Sequence, residues 1–455
     1  MAEQMIHHKE GEKVATQAIP TGFKQSEVGI IPEDWLVEPL ENFTSFISYG
    51  FTNPMPTTAS GPYMVTARDI SNGKIQYDSA RTTDWSAFHK LLTAKSKPQL
   101  DDVLLTKDGT LGRVALVENE LICINQSVAI LRPNKRIYPK FFKCLLDAPL
   151  YQAKMLEDAG GSTIKHIYIT IVNKMVLGLP ANLTEQTAIA NVLSDSDALI
   201  DALEQLIAKK QAIKTASMQQ LLTGRTRLPQ FALRPDGTPK GYKSSELGQI
   251  PEDWESYSVR DIVQRTQLGG NYENTEAATN YPLIKMGNLG RGCINLDKIE
   301  FISGAPSSKD RLFFGDVLFN TRNTLDLVGK IAVWRNEIDE AYFNSNILRF
   351  DFNKGLVADH FFMNYAMNTT GFITQLSGIA TGTTSVAAIY TRDLFSLKIA
   401  MPGKKEQTAI ATILSDMDSE LNALEQKLAK ARDVKQGMMQ QLLTGRIRLP
   451  VEQVE

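Results

Sequence analysis

The stretch EQTAIANVLSDSDALIDALEQLIAKKQAIKTASMQQLLTGRTRLP, from Glu185 to Pro229, decides the fold of this chain. It returns without an internal gap as EQTAIATILSDMDSELNALEQKLAKARDVKQGMMQQLLTGRIRLP, from Glu406 to Pro450. A shorter match links FKQSEVGIIPEDW (Phe23–Trp35) with YKSSELGQIPEDW (Tyr242–Trp254). Self-similarity of this kind indicates that one structural unit is present twice.

Each long block is predicted to form one helix, at 183–225 and at 404–446. Gly in the Thr-Gly-Arg ending supplies a left-handed cap, and the Pro that follows forbids continuation. About 40 residues at about 1.5 Å each give a rod on the order of 60 Å, which needs a partner. The other copy is the nearest candidate, paired antiparallel in a coiled coil; the alternative is the buried face of a helix in a larger bundle. The pattern rests on apolar residues at seven-residue steps (Leu193, Ile200, Ile207 and Leu414, Leu421, Leu428) and on an adjacent stripe of Ile189, Val192, Leu199, Leu203, Leu206 and Ile213.

Between the repeated blocks the two copies have diverged. Short runs of β-branched and aromatic residues alternate there with Gly, Asn and Asp, which is typical of strands joined by turns. The sequence therefore predicts an α+β fold, with two mixed, strand-rich domains in a pseudo-two-fold repeat at 23–182 and 242–403, separated by two long antiparallel coiled-coil spacer helices. A tail at 1–22, a linker at 226–241 and a tail at 447–455 complete the division. The clearest strand signals are Val103–Leu105, Val114–Val117, Val317–Phe319 and Ile331–Trp334, and helices are expected around Pro139–Leu156 and Asp359–Leu376.

Composition bounds the class of protein. The chain has 455 residues, 43% of them hydrophobic, which is enough for two or three packed domains. Its start is polar and no apolar run approaches the roughly 20 residues that span a bilayer, so we expect a cytoplasmic protein without a membrane association. The three cysteines and five histidines show no metal-ligand or disulfide spacing.

Motifs for catalysis are missing from the sequence. Asn53-Pro54-Met55-Pro56 lacks the second proline and the aromatic residue that an adenine methyltransferase needs, and Gly237–Ser244 breaks the P-loop pattern with Tyr242. No constellation of acid, base and nucleophile that could form a catalytic site recurs in both copies. We therefore expect a non-catalytic protein, although an enzyme with an unrecognised site stays open as an alternative.

Two diverged domains, each followed by a nearly identical long helix that ends in QQLLTGR, resemble the specificity subunit of type I restriction and modification enzymes. The resemblance covers nearly the whole chain. Its most diagnostic pieces are Ile31–Trp35 and Ile250–Trp254, which open each target recognition domain, and the Glu-Gln pairs at 185–186 and 406–407, which open each helix.

The resemblance implies separate roles for the recognition domains, the helices and the partner subunits. Each recognition domain would read one half of a bipartite site on double-stranded DNA, and the helices would fix the number of unread base pairs between the halves. Two methyltransferase subunits would dock on one copy of this chain, with up to two restriction/translocase subunits outside them. S-adenosylmethionine, ATP and Mg²⁺ would belong to those partners, and this chain would bind no cofactor or metal.

Candidate DNA contacts lie in or beside the Gly/Asn-rich loops that survive between the copies. Arginine, lysine and asparagine there have the chemistry for guanine edges or for phosphates. Backbone amides of 160–163 and 381–384 are further phosphate candidates, with a plain turn as the alternative. The candidate side chains are Arg68, Lys107, Arg113 and Lys165 in the first domain and Lys285, Arg291, Arg322, Asn323 and Lys330 in the second.

The net charge of −2 argues weakly against DNA binding, because proteins that hold DNA electrostatically usually carry a basic excess. Contacts supplied by the partners would answer that objection. The competing hypothesis is a protein-interaction scaffold whose two heads grip protein ligands across a rigid coiled-coil spacer.

Overall fold

The computed structural model describes residues 19–119, 121–157, 159–160 and 165–450. The chain divides into two compact units. Unit 1 contains the residues up to Leu203 together with those from Lys427 onward, and unit 2 is the continuous stretch Glu204–Gln426. Each unit therefore contains one globular domain and a segment of each long helix.

The elements of the first half of the chain are mostly short strands. Its helices are α1 (Trp85–Lys90), α2 (Pro139–Asp147), α3 (Pro149–Glu157), α4 (Ile169–Lys174) and α5 (Leu183–Leu221). Its strands are β1 (Phe23–Ser26), β2 (Gly29–Pro32), β3 (Trp35–Pro39), β4 (Thr44–Tyr49), β5 (Thr58–Val65), β6 (Ile70–Ser71), β7 (Lys74–Ile75), β8 (Arg81–Thr82), β9 (Val103–Thr106), β10 (Val114–Leu116), β11 (Ile122–Ile124), β12 (Val128–Pro133) and β13 (Val176–Pro180).

The second half repeats this composition. Its helices are α6 (Pro229–Ala232), α7 (Val259–Ile262), α8 (His360–Ala366), α9 (Thr370–Ile379), α10 (Thr391–Leu394) and α11 (Lys404–Leu442). Its strands are β14 (Tyr242–Ser245), β15 (Gly248–Pro251), β16 (Glu255–Ser258), β17 (Val263–Leu268), β18 (Asn274–Thr275), β19 (Pro282–Ile284), β20 (Glu300–Ile302), β21 (Val317–Asn320), β22 (Arg322–Asn323), β23 (Ile331–Val333), β24 (Tyr342–Phe343), β25 (Ile347–Phe352), β26 (Thr381–Gly382), β27 (Ala387–Ala388) and β28 (Lys398–Met401).

The central sheet has the same order in both domains. In unit 1 the order is β10-β9-β12-β4 and in unit 2 it is β23-β21-β25-β17, antiparallel throughout. All four residues of β9 and of β21 are buried, which explains why both read as uninterrupted apolar runs. The four strands predicted from the sequence are confirmed to within a residue. Each of the two predicted helices is instead a pair of shorter ones, α2 with α3 and α8 with α9.

Each domain packs one face of this sheet against its helices. In unit 1 the core joins β9 and β12 to α2 and includes Leu193 of α5 and Met439 of α11. In unit 2 the equivalent core includes Leu221 of α5 and Leu414 of α11. The long helices therefore supply part of the core of each domain.

Within each unit the two helical segments run antiparallel. In unit 1, Ser196 contacts Met438 and Asp197 pairs with Lys435. In unit 2, Lys210 pairs with Glu420 and Lys214 with Asp418, so rising numbers on α5 again meet falling numbers on α11. Three members of the predicted adjacent stripe are exposed: Leu199 (55%), Leu206 (38%) and Ile213 (44%). These three positions of the apolar stripe therefore lie outside the contact between the two helical segments, which is narrower than six positions require.

No helix in the described part of the chain combines the length and apolar character that crossing a bilayer requires.

Candidate nucleic-acid interface

Each domain is attached to the long helices by a clasp around one arginine. In unit 2, Arg227 donates to both carboxylate oxygens of Glu406, at 2.6 and 2.7 Å, and to Asp253 at 2.7 and 3.1 Å. The arginine side chain is 8% exposed and that of Glu406 is 4% exposed. In unit 1, Arg448 bonds Glu185 at 2.6 Å and Asp34 at 2.9 Å in the same way. The Asp of both Pro-Glu-Asp-Trp segments and the Glu of both Glu-Gln segments are therefore structural residues.

The glutamine of the Glu-Gln segment completes this attachment. Gln186 is fully buried and donates to the carbonyl of Pro180 at 2.9 Å, while its own oxygen accepts from the Tyr138 amide at 2.8 Å. Gln407 makes the matching bonds to Pro402 at 3.0 Å and Ala358 at 2.9 Å. Both glutamines satisfy backbone groups that would otherwise be orphaned, so their recurrence is explained by the fold.

A groove of about 790 Å³ opens on the first domain, and none of the clasp residues lines it. Its lining combines two arginines, two carboxylates, small hydroxyl and amide side chains and a few apolar residues. Arg68 and Arg81 are both exposed, and neither has a side-chain partner within the described part of the chain. Unpaired guanidinium groups on the wall of a concave polar surface suit guanine edges or phosphates. The lining residues used below are Arg68, Arg81, Asp108, Asn125 and Ser127.

The groove backbone is held in place by short local bonds. Asp69 caps the turn below Arg68 by accepting from the Thr66 amide at 2.9 Å, and Asn125 accepts from the Ser127 amide at 3.1 Å. Gly50 lies beside Ile124 so closely that an added Cβ would be 1.8 Å from its carbonyl oxygen. Only glycine permits this approach of two backbones at the groove.

The second domain has the same two capped turns and the same close approach of two backbones, with other side chains. We call this shared backbone arrangement the frame. Asn288 accepts from the Lys285 amide at 2.9 Å, which matches the bond from the Thr66 amide to Asp69. Asn344 accepts from the Asn346 amide at 3.2 Å, which matches the bond from the Ser127 amide to Asn125. Gly269 is confined as Gly50 is, with an added Cβ 2.1 Å from the Phe343 oxygen. The frame of this surface is therefore common to both domains.

Position 108 and its counterpart at 322 carry opposite charges on this frame. Each follows the central strand, β9 or β21, and each pairs through its backbone with the later loop, Asp108 with His166 and Arg322 with Ala388. Asp108 bonds Lys107 at 2.8 Å and His166 at 2.5 Å. Burial alone would raise the pKa of Asp108, but these bonds outweigh it and hold the pKa below its ordinary value. The carboxylate therefore stays ionised at neutral pH.

Comparison with known proteins identifies the family. Residues 56–215 and 251–431 match the family described as the type I restriction modification DNA specificity domain. The chain belongs to this family. The two matched regions correspond to the two copies of the repeat.

One relative and two solved structures match the chain over most of their length. The chain is 26% identical to the type I restriction enzyme MjaVIII specificity subunit of Methanocaldococcus jannaschii, over 94% of this chain and 96% of that protein. Its fold is similar to the crystal structure of a type I restriction-modification system S subunit from M. genitalium, with a TM-score of 0.57, 16% identity, and coverage of 90% and 96%. A second structure, described as the structural basis of complex assembly and conformational transition of the type I R-M system, gives a TM-score of 0.50 at 16% identity, with coverage of 92% and 99%.

Three of the nine candidate residues are engaged within this specificity subunit. Lys107 is paired with Asp108, and Lys285 with Glu300 at 2.9 Å. Arg113 donates to the carbonyl of Ile70 at 3.0 Å. Their charges are partly or fully committed to the protein, which lowers their availability to a ligand.

The other candidates are available to solvent. Lys165 and Arg322 are exposed, Lys330 is half-buried, and no side-chain partner contacts any of them in the described ranges. Arg291 is exposed but lies close enough to neighbouring atoms that desolvation lowers its pKa. Asn323 uses its oxygen to accept from the Thr324 amide at 2.8 Å, which leaves its amino group free to donate. All of these assignments stay predictions.

The structure adds one arginine that the sequence did not predict and decides between two alternatives for one loop. Arg81 was missed because it lies in a divergent segment, and only its pairing with Met64 across β8 and β5 places it on the groove. At 381–384 the plain turn is confirmed, since the Thr383 amide donates to the Val386 carbonyl at 2.9 Å and is not free for a phosphate. Its counterpart at 161–163 lies outside the described residues.

Proposed function

We propose that this chain is the DNA-recognition subunit of a type I restriction-modification complex and that it reads a bipartite site, one half per domain. The observation that supports the proposal is one backbone frame, present twice, with different polar groups at equivalent positions. A guanidinium such as that of Arg322 donates to guanine O6 and N7, whereas the Asp108 carboxylate at the equivalent position is occupied by Lys107 and His166 and offers no such donor. Two versions of one reading surface suit two different half-sites.

The spacing between the half-sites would be set by the long helices. Each helix has 39 residues, which corresponds to about 60 Å at about 1.5 Å per residue. The antiparallel contacts within each unit support the proposal of a two-helix coiled coil with a narrow seam. We infer that these helices are the spacer and that their length selects the number of unread base pairs.

Docking of two identical partners is supported by exposed residues that are identical in both copies. Asp195, Ala202, Lys430 and Gln440 are exposed in unit 1, and unit 2 presents the same set as Asp416, Ala423, Lys209 and Gln219. Packing does not require identity at exposed positions, and exposed neighbours such as Leu199 and Glu420 do differ. We infer that two methyltransferase subunits dock here, with up to two restriction/translocase subunits outside them.

Catalysis would belong to those partners. In this proposal they carry S-adenosylmethionine, ATP and Mg²⁺, while this chain binds DNA, uses no cofactor and performs no chemical step. The assembled complex would act on cellular DNA in the cytoplasm. Among the described residues, no cluster of three or more His, Cys, Asp or Glu is placed to hold a metal ion.

Single-molecule methylation mapping tests the proposal directly. DNA is compared between cells that express the chain with its methyltransferase partner and cells that lack only this chain. We expect a split adenine-methylated motif that disappears on deletion. An unchanged methylation pattern, together with no sequence preference of the purified complex for DNA, would leave the protein-interaction scaffold in its place.

A further inference from the structure

One carboxylate in unit 2 joins three separate elements. Asp418 of α11 accepts from the Tyr365 hydroxyl of α8 at 2.6 Å and from Nη2 of Arg335, beyond β23, at 3.2 Å. Its other oxygen forms an ion pair with Lys214 of α5. The side chains of Asp418 and Lys214 are 19% and 18% exposed, so the pairing is largely withdrawn from water. Asp418 therefore links the partner helical segment and the globular domain at the same point.

The two side chains of the domain that donate to Asp418, Arg335 and Tyr365, are themselves held by other contacts. Arg335 also donates to the carbonyl of Gly292 at 3.0 Å, and its guanidinium lies 5.4 Å from the centroid of the Phe361 ring. Burial, with Asp418 beside it, raises the pKa of Tyr365 to about 12, so the hydroxyl is a donor at neutral pH. The link from helix to domain is therefore made by side chains that have little freedom of their own.

Unit 1 makes a similar three-way link with different donors. Asp197 of α5 pairs with Lys435 of α11 at 2.5 Å and lies 3.8 Å from Lys143 of α2. One turn further along α5, Asp201 pairs with Lys74 of β7. A carboxylate at the matching helix position therefore serves both domains, although the residues that meet it differ.

We propose that Asp197 and Asp418 are positioning residues that fix the orientation of each globular domain on its helical segments, and thereby the half-site spacing that the chain accepts. The second part rests on the proposed function. One additional base pair moves a half-site by about 3.4 Å and turns it by about 35°. A domain that is fixed to its helices cannot follow that displacement, whereas a domain on a loosened joint can.

The orientation is tested first without DNA, on the purified full-length chain. Spin labels are placed at Thr374→Cys on α9 and Asn422→Cys on α11, both exposed and both in unit 2, in a Cys293→Ser background. The remaining cysteines, Cys123 and Cys144, are buried. We expect Asp418→Asn to widen the label distance distribution at least twofold and Glu425→Gln, at an exposed position two turns further along α11 in the same unit, to leave it unchanged. An unchanged distribution in Asp418→Asn would overturn the proposal, whether or not the chain binds DNA.

Spacing is then measured with DNA duplexes that carry the mapped site and the same site lengthened by one base pair. We expect Asp418→Asn to reduce discrimination between the two duplexes about tenfold, while affinity for the second half-site alone stays within about twofold. Tyr365→Phe, which removes only a hydroxyl, should act in the same direction with a smaller effect and guards against a folding defect. Discrimination equal to wild type in both variants would refute the role in spacing. A wild-type chain without any sequence preference would instead refute the proposed function, and the label distances would still decide the orienting role.

Discussion

Nη1 of Arg448 lies 2.9 Å from Oδ1 of Asp34, which stands 414 positions earlier in the chain. The matching bond in unit 2, from Arg227 to Asp253 at 2.7 Å, spans only 26 positions. The same clasp is therefore local in one unit and closes nearly the whole chain in the other. Loop-closure entropy grows with the logarithm of loop length, so the loop that is about 16-fold longer costs about 2.4 kcal/mol more to close.

Removing each clasp arginine should destabilise its own unit to a different extent. We expect Arg227→Ala to lower the free energy of unfolding by about 3 kcal/mol, because it leaves the buried Glu406 carboxylate uncompensated. Arg448→Ala also leaves a buried carboxylate, Glu185 at 4% exposed, but Arg448 itself is 41% exposed, so water can reach the vacated site and the loss should be smaller, about 2 kcal/mol. Arg446→Ala, at an exposed position nearby, serves as the control with no measurable effect. Urea denaturation followed by hydrogen exchange of residues 23–35 and 242–254 separates the two units; equal losses would contradict the argument.

Acid should weaken unit 2 through Asp253. Burial alone would raise its pKa, but bonds from Arg227 and Lys240 outweigh burial and lower the pKa to about 2. A depressed pKa contributes stability that is present above the unfolded value of about 4 and is lost as the pH falls through about 2. We expect about 1 kcal/mol after discounting for the exposure of this carboxylate. Unfolding measured from pH 5 to pH 2 should show a shallower decline in Asp253→Asn; parallel curves would rule out this contribution.

The glycines that end the long helices should not tolerate a side chain. Gly224 has φ +69°, and an added Cβ would be 2.3 Å from Cγ of Pro251; Gly445 has φ +68° and a Cβ contact of 2.4 Å with Pro32. We expect each alanine variant to lose about 2 kcal/mol through backbone strain and the clash. Gly437→Ala is the matched control, since it lies inside α11 with open space around it and should gain about 0.5–1 kcal/mol. Thermal unfolding of the three variants gives the comparison, and a stabilised Gly224→Ala would disprove the cap geometry.

DNA-contact variants should affect one half-site each. We expect Arg81→Ala and Arg68→Ala to weaken binding to one half-site and Arg322→Ala to the other, by about 1–3 kcal/mol for a lost bidentate guanine contact. Binding is measured at fixed moderate salt on duplexes in which either half-site is scrambled, because phosphate contacts alone would change with salt and not with sequence. Arg392→Ala, 91% exposed and paired with its neighbour Asp393, is the control. Unchanged affinity of Arg322→Ala for the intact site would remove that residue from the interface.

Much of the architecture could be predicted because its signals are local. The repeat, the two long helices and the buried strands follow from periodicity, caps and β-branched runs, which depend on neighbours in the chain. The exposure of the stripe through Leu199, Leu206 and Ile213 could not be predicted, since periodicity shows that a face is apolar without showing whether anything covers it.

What the sequence by itself determined is therefore the pair of domains, the paired helices and the family to which the chain belongs. Tertiary structure alone decided which charges are free. Lys285 and Glu300, like Lys107 and Asp108, neutralise one another, whereas Arg68 and Arg81 meet on one groove without a counterion within the described ranges. The physical reason is that the availability of a charge depends on the groups that folding brings within a few ångströms of it, and most of those groups are distant in the chain.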